Sequence, residues 1–312
     1  MPESPLTPTN LGTLLFFRPG ERGGTQTFAQ FRQAYGIEPG GVNAYFGLNN
    51  SAVAQWQTTG SALRDPHRML LDDALAALAA SPRVGKTVDF GLWPYQAPEP
   101  FGFVRNHLTL VGAVACELND YQRRARTLGK HLDVVVRFAS EMNDPAKAGM
   151  PWGRGKPVDP DQQAAYRETF ALVREAFRER APWVRFAFAP AVRADIRGDR
   201  LAMIADYWPG DGLVDVVSCT WYVGREADFD RAVENLRAYI AAWKPKGLPF
   251  ALNEIGGINE DQGNDAMLRR MLGALGDLDV TFDYATLFLG SKWGKDATLG
   301  FLRASPPAVE EQ

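Results

Sequence analysis

Histidine and cysteine are scarce in this chain of 312 residues, which has three histidines and two cysteines. His67, His107 and His131 fall at no expected strand end. That argues against the His-rich metal-hydrolase barrels and leaves no zinc site to expect. Cys116 and Cys219 lack metal-ligand spacing and stand on different elements, so they define neither a metal site nor a redox compartment. No Gly-rich phosphate loop follows the last two strand-like runs, which weakens a phosphorylated substrate. No expected strand carries a lysine, so a Schiff-base aldolase or lyase would lack its amine. Positive charge is also short. A net charge of -3 argues against a nucleic-acid partner held by phosphate neutralisation. The longest apolar stretch, around residues 108–115, is far too short to span a membrane. The start, Met1-Pro2-Glu3-Ser4-Pro5, has neither the charged nor the apolar region of a signal peptide. The expected location is therefore cytoplasmic unless such a peptide has been removed.

What is present is an ordinary globular composition, 46% apolar and 23% charged. Strand-like runs at about 12–17, 42–47, 87–92, 132–138, 184–189, 214–222, 249–253 and 280–289 are short and apolar. Between them lie helical stretches near 27–35, 66–80, 118–129, 160–180, 200–207, 228–243 and 265–275. Strict alternation implies a parallel sheet, and eight repeats at this length imply closure. The expected fold class is α/β, a single (β/α)8 TIM barrel, with residues 1–312 forming one catalytic domain and the chain acting as a monomer.

In such a barrel the residues just past each strand line the ligand site. The fourth strand, Leu132-Asp133-Val134-Val135-Val136, runs into Arg137, Ser140, Glu141 and Asn143. The seventh, Phe250-Ala251-Leu252-Asn253, delivers Glu254. Two carboxylates at one sheet edge are the minimum equipment for glycosidic bond cleavage: one protonates the leaving oxygen, and the other attacks or activates water. The other strand ends offer Arg18, Asn49, Trp93, Trp221 with Tyr222, and Lys292 with Trp293. Aromatics make up 11% of the chain, a fraction compatible with an ordinary core or with stacking on sugar rings.

The run Arg137-Phe138-Ala139-Ser140-Glu141-Met142-Asn143, followed by Pro151-Trp152, resembles the fourth-strand motif of clan A glycoside hydrolases, closest to family 26, which contains β-mannanases. Tyr207-Trp208-Pro209-Gly210-Asp211, Val214-Asp215-Val216-Val217 and Tyr222 resemble that family's sixth-strand region. Pro249-Phe250-Ala251-Leu252-Asn253-Glu254-Ile255-Gly256 resembles its nucleophile strand. The similarity spans about residues 118–257. It implies a retaining double displacement, with Glu141 as acid/base, Glu254 as nucleophile and carboxyls about 5–5.5 Å apart. Tyr222 would bond the nucleophile, and Arg137 would lie beneath the pair. Trp93, Trp152, Trp221, Trp293 and Asn49 would bind the oligo- or polysaccharide, with no cofactor and no metal. Where the family usually has His and much of the clan has Asn, this chain has Ser140, too short for the same contact without a water. Its pocket is expected to be filled by water or by a neighbouring side chain such as Asn49 or Trp93. The alternative from another class is a non-catalytic carbohydrate-binding barrel that keeps the cleft.

Overall fold

The computed structural model describes residues 11–17, 28, 39–81, 85–96, 99–144, 160–196, 201–257 and 265–288. Eight strands, β1 (Leu11–Phe17), β2 (Gly41–Gly47), β3 (Gly85–Trp93), β4 (His131–Phe138), β5 (Arg185–Phe188), β6 (Val216–Val223), β7 (Phe250–Gly257) and β8 (Phe282–Phe288), appear in this order. Each lies parallel to the next, and β8 pairs with β1, so the sheet closes into a barrel. Around it are α1 (Asn50–Thr59), α2 (Asp65–Ala80), α3 (Pro100–Asn106), α4 (Leu108–Thr127), α5 (Pro160–Arg180), α6 (Phe229–Trp243) and α7 (Asp265–Gly276). The architecture is an α/β barrel.

Some elements differ from the sequence expectation. The polar segment after β2 is α1, whose first turn is closed by the Asn49 side chain accepting from the Ala52 amide at 3.0 Å. The apolar run at 108–115 opens α4: Leu110, Val111, Val114, Ala115 and Leu118 are buried at helical spacing. Between β5 and β6 the expected helix at 200–207 ends in a 3₁₀ turn, Met203–Tyr207. Pro209 and Gly210 follow at once and stop it. β3 starts earlier than expected and includes Lys86, whose ammonium donates to the Pro39 carbonyl at 2.8 Å. The expected helix at 27–35 lies outside the described residues except at Phe28.

Strand alternation sorts every side chain to one of two faces. Outward residues such as Phe46, Phe90, Phe138, Phe186, Leu252 and Ile255 join the helices in the main core. Inward residues form layers. One is apolar: Val135, Ala187, Val216, Ala251 and Tyr284 make a separate cluster inside the barrel. Polar side chains stack above it, toward the C-terminal mouth. Among the described residues, no helix is long and apolar enough to cross a membrane.

The same alternation corrects the expectation for Trp221. Thr220 and Tyr222 face inward, so Trp221 faces outward; it is fully buried, and its indole donates to the Ala232 carbonyl of α6 at 3.0 Å. It packs a helix onto the barrel and is no sugar platform. Trp221→Ala is expected to destabilise the fold by about 3–5 kcal/mol in denaturant unfolding, through a cavity under α6. A loss below about 1 kcal/mol would contradict this placement.

Candidate active site

The floor of the site is a buried ion network. Arg137, inward on β4, donates from Nε to Asp89 Oδ1 of β3 at 2.6 Å and from Nη1 to Glu254 Oε1 of β7 at 3.1 Å. All three groups are almost wholly shielded from solvent. A charge in that position is tolerated only when paired and hydrogen-bonded. Further donors complete the pairing. Asn253 Nδ2 reaches Asp89 Oδ2 at 3.1 Å, and Tyr45 of β2 and Tyr222 of β6 both donate to Glu254. Burial opposes the Arg137 charge, but the negative charge of Asp89 and its other neighbours outweighs it, holding the guanidinium well above its usual range. Burial, then the charge of Glu254, likewise raises both phenols well above theirs, so they remain O–H donors. Burial pushes the Asp89 carboxyl up to about 6, against the opposing pull of Arg137 and Asn253.

Two backbone irregularities aim the carboxylates. On β7 the register with β6 slips between Cys219, paired with Leu252, and Thr220, paired with Glu254. The extra residue interrupts alternation, so the consecutive Asn253 and Glu254 both face the barrel interior while Leu252 and Ile255 stay in the outer core. At the end of β4, Ala139 and Glu141 both have positive φ, 47° and 60°. Non-glycine residues there store strain of order 1–3 kcal/mol each. The Ala139 amide bonds to Leu92 of β3 and the Glu141 amide to Ala189 beyond β5, so the segment crosses between neighbours as it turns.

That turn sets Glu141 against β6, where Thr220 Oγ1 donates to its Oε1 at 2.7 Å. Tyr222, two residues on along the same face, donates to Glu254 Oε2 at 2.5 Å. Inward positions two apart on a strand are separated by about 7 Å, so β6 anchors both carboxylates side by side.

Ser140 is fully buried and accepts from the Trp93 indole nitrogen at 3.1 Å. The side chain from a neighbouring strand is therefore Trp93, which also packs against Tyr45 with ring centroids 4.4 Å apart. Asn49 is committed elsewhere: besides capping α1 it accepts from Arg64 at 3.1 Å, which replaces its expected sugar contact by a structural one. Asn143 bonds the Ala191 backbone in both directions, at 2.9 and 2.7 Å. Arg18, Trp152, Lys292 and Trp293 lie outside the described residues. Sequence reasoning missed Tyr45, Asp89, Thr220 and Asn253. The available signal was a polar side chain at an inward position of an otherwise apolar strand. Among the described residues, no group of three or more His, Cys, Asp or Glu could hold a metal ion.

A cavity of about 430 Å3 lies at the opposite end of the barrel, lined by Lys86, His131, Asp133, Trp183 and Asp283 among others. Arg185 ties Asp133 to Asp283 beside it. Those charges clamp strand ends, in keeping with a stability role for that face.

Solved structures that share this architecture include three mannanases. A family 26 β-mannanase from Bacteroides ovatus is 15% identical, with a TM-score of 0.63 over 98% of this chain and 94% of that one. A Bacillus subtilis mannanase is 15% identical, with a TM-score of 0.61 over 96% and 88%. A modular endo-β-1,4-mannanase from Cellulomonas fimi is 14% identical, with a TM-score of 0.64 over 97% and 73%. The fold is theirs. No protein-family model and no curated protein matches the chain.

Asp89 gives a pH test of the network. Its folded-state value, raised to about 6 from 3.8, means that the folded protein holds this proton where the unfolded chain has released it. The stability it contributes is full below about pH 4 and is lost as pH rises through 6. Asp89→Asn removes this titration. Urea unfolding between pH 4 and 7 is expected to show wild type losing stability relative to the variant as pH rises; a pH-independent difference would contradict the assignment.

Proposed function

We propose that the protein is a retaining β-glycoside hydrolase, built as one (β/α)8 TIM-barrel domain over residues 1–312. Its expected substrate is a β-1,4-linked polysaccharide, mannan or a related glucan, cut internally. The observation that carries this reading is the unlike environments of two carboxylates anchored on one strand. Glu254 sits on a guanidinium between two phenol donors, which complement an anion. Glu141 accepts from the neutral Thr220 hydroxyl, a setting suited to a group that gives and takes a proton. The likeness of fold to mannanases adds support.

In the proposed reaction Glu254 attacks the anomeric carbon from one face while Glu141 protonates the departing glycosidic oxygen. The bond between sugar and leaving group breaks as the glycosyl ester forms. Glu141, now a carboxylate, takes a proton from water; the resulting hydroxide equivalent displaces Glu254 and restores the anomeric configuration. Arg137 and Tyr222 hold the nucleophile in place and favour its anionic form. Trp93 lies beside this centre as an apolar wall for the sugar, with Trp152 and Trp293 as further proposed platforms. No step requires a cofactor or a metal.

Reducing-sugar release from a panel of β-linked polysaccharides tests the reading. Glu254→Ala is expected to abolish turnover on every substrate. Glu141→Ala should lose about 10²–10⁴-fold on substrates with poor leaving groups. On an activated aryl glycoside it should accumulate the intermediate, and azide should rescue breakdown as a β-glycosyl azide. If wild type and both variants bind the same oligosaccharide and none turns it over, the protein is a carbohydrate-binding barrel instead.

A further inference from the structure

We infer that Tyr45 is a second positioning residue for the Glu254 carboxylate, acting from the side of the barrel opposite Tyr222. The inference rests on the proposed role of Glu254 as nucleophile and extends it to a residue from β2. Each carboxylate oxygen receives its own phenol: Tyr45 donates to Oε1, which also accepts from Arg137, and Tyr222 donates to Oε2. Donors from β2, β4 and β6 therefore fix both the position of the carboxylate and its rotation about the last side-chain bond.

The barrel is arranged to hold the Tyr45 ring there. Asn43, two residues earlier on the same inward face, bonds the Asn253 carbonyl at 3.3 Å and ties β2 to the bulge that carries Glu254. The ring lies 5.1 Å from the Arg137 guanidinium carbon and packs on Trp93. Directly across on β3 is Gly91. A methyl group there would stand 2.9 Å from Tyr45 Cδ1, so only glycine leaves the ring its place. The Tyr45 backbone carbonyl is in turn held by His67 of α2 at 2.7 Å.

Donors on a carboxylate stabilise its anion and make it a better leaving group. Both effects predict where loss of the Tyr45 hydroxyl is felt. The ionised nucleophile is needed for the first step, so Tyr45→Phe should move the acid limb of the kcat/KM profile to higher pH. Release of Glu254 from the glycosyl ester should slow, so kcat on an activated aryl glycoside should fall about tenfold, the effect of one lost charge-assisted bond. KM should fall with it as the intermediate accumulates. Gly91→Ala, which keeps the hydroxyl but displaces the ring, should move the acid limb in the same direction.

The experiment compares wild type, Tyr45→Phe and Gly91→Ala, each checked for a cooperative thermal transition. Alongside it, a double-mutant cycle of Tyr45→Phe with Glu254→Gln is read by unfolding free energy. Coupling in the cycle together with a displaced acid limb is the expected result. A folded Tyr45→Phe with unchanged acid limb and kcat overturns the inference while leaving the hydrolase reading intact. If wild type hydrolyses no glycoside, the hydrolase reading fails on its own, and additivity in the cycle separately overturns the Tyr45 contact.

Discussion

The polar floor of this barrel is organised around one buried guanidinium. Arg137 stands between Asp89 and Glu254 with no access to water, and two carboxylates around one cation leave the cluster with an excess of negative charge. Such a cluster persists only if hydrogen-bond donors take up the remaining lone pairs. That requirement accounts for the company it keeps. Asn43 and Asn253 serve Asp89, and Tyr45 and Tyr222 serve Glu254. Asp89, which burial pushes up to about 6, accepts from Arg137, Asn43 and Asn253, and Glu254 accepts from Arg137, Tyr45 and Tyr222.

Geometry follows from two departures from regular strand structure. A perfect β7 would alternate faces and could not present Asn253 and Glu254 together; the slipped register lets one brace the floor and the other face the opening. A perfect end to β4 would carry the chain straight out of the barrel. Instead Ala139 and Glu141 adopt left-handed backbone conformations, and the Glu141 carboxylate comes to rest on Thr220. Among the described residues, Ala139 and Glu141 are the only non-glycines with positive φ, which fits a conformation held at a functional site.

The strands were legible because buried parallel strands read as short apolar runs, and the two glutamates because they end such runs. Asn143, grouped with them in sequence, braces the backbone at Ala191. Side-chain direction was harder. Trp221 sits next to Tyr222 in sequence, yet the pleat sends one to the helices and the other to the cleft. Asn49 looked like a cleft residue because a helix cap and a binding-loop residue have the same composition. Asp89 was visible as a charge between Val88 and Phe90, in a strand buried on both faces. What no local pattern supplies is its partner, Arg137, which lies 48 residues away and meets it only when the strands align. Tyr45 and Glu254 are further apart still, at 209 residues. The bulge that turns Glu254 inward has no residue signature in β7 at all.

The proposed role of Glu254 requires that it become covalently bonded to the sugar. Incubation with 2-deoxy-2-fluoro mannosyl and glucosyl fluorides, whose esters hydrolyse slowly, should inactivate the enzyme with time. Mass spectrometry of the digested protein should then find one added fluoroglycosyl group, on the peptide containing Glu254. Labelling at Glu141, or hydrolysis of β-glycosides with inverted anomeric configuration and no labelling, would contradict the account.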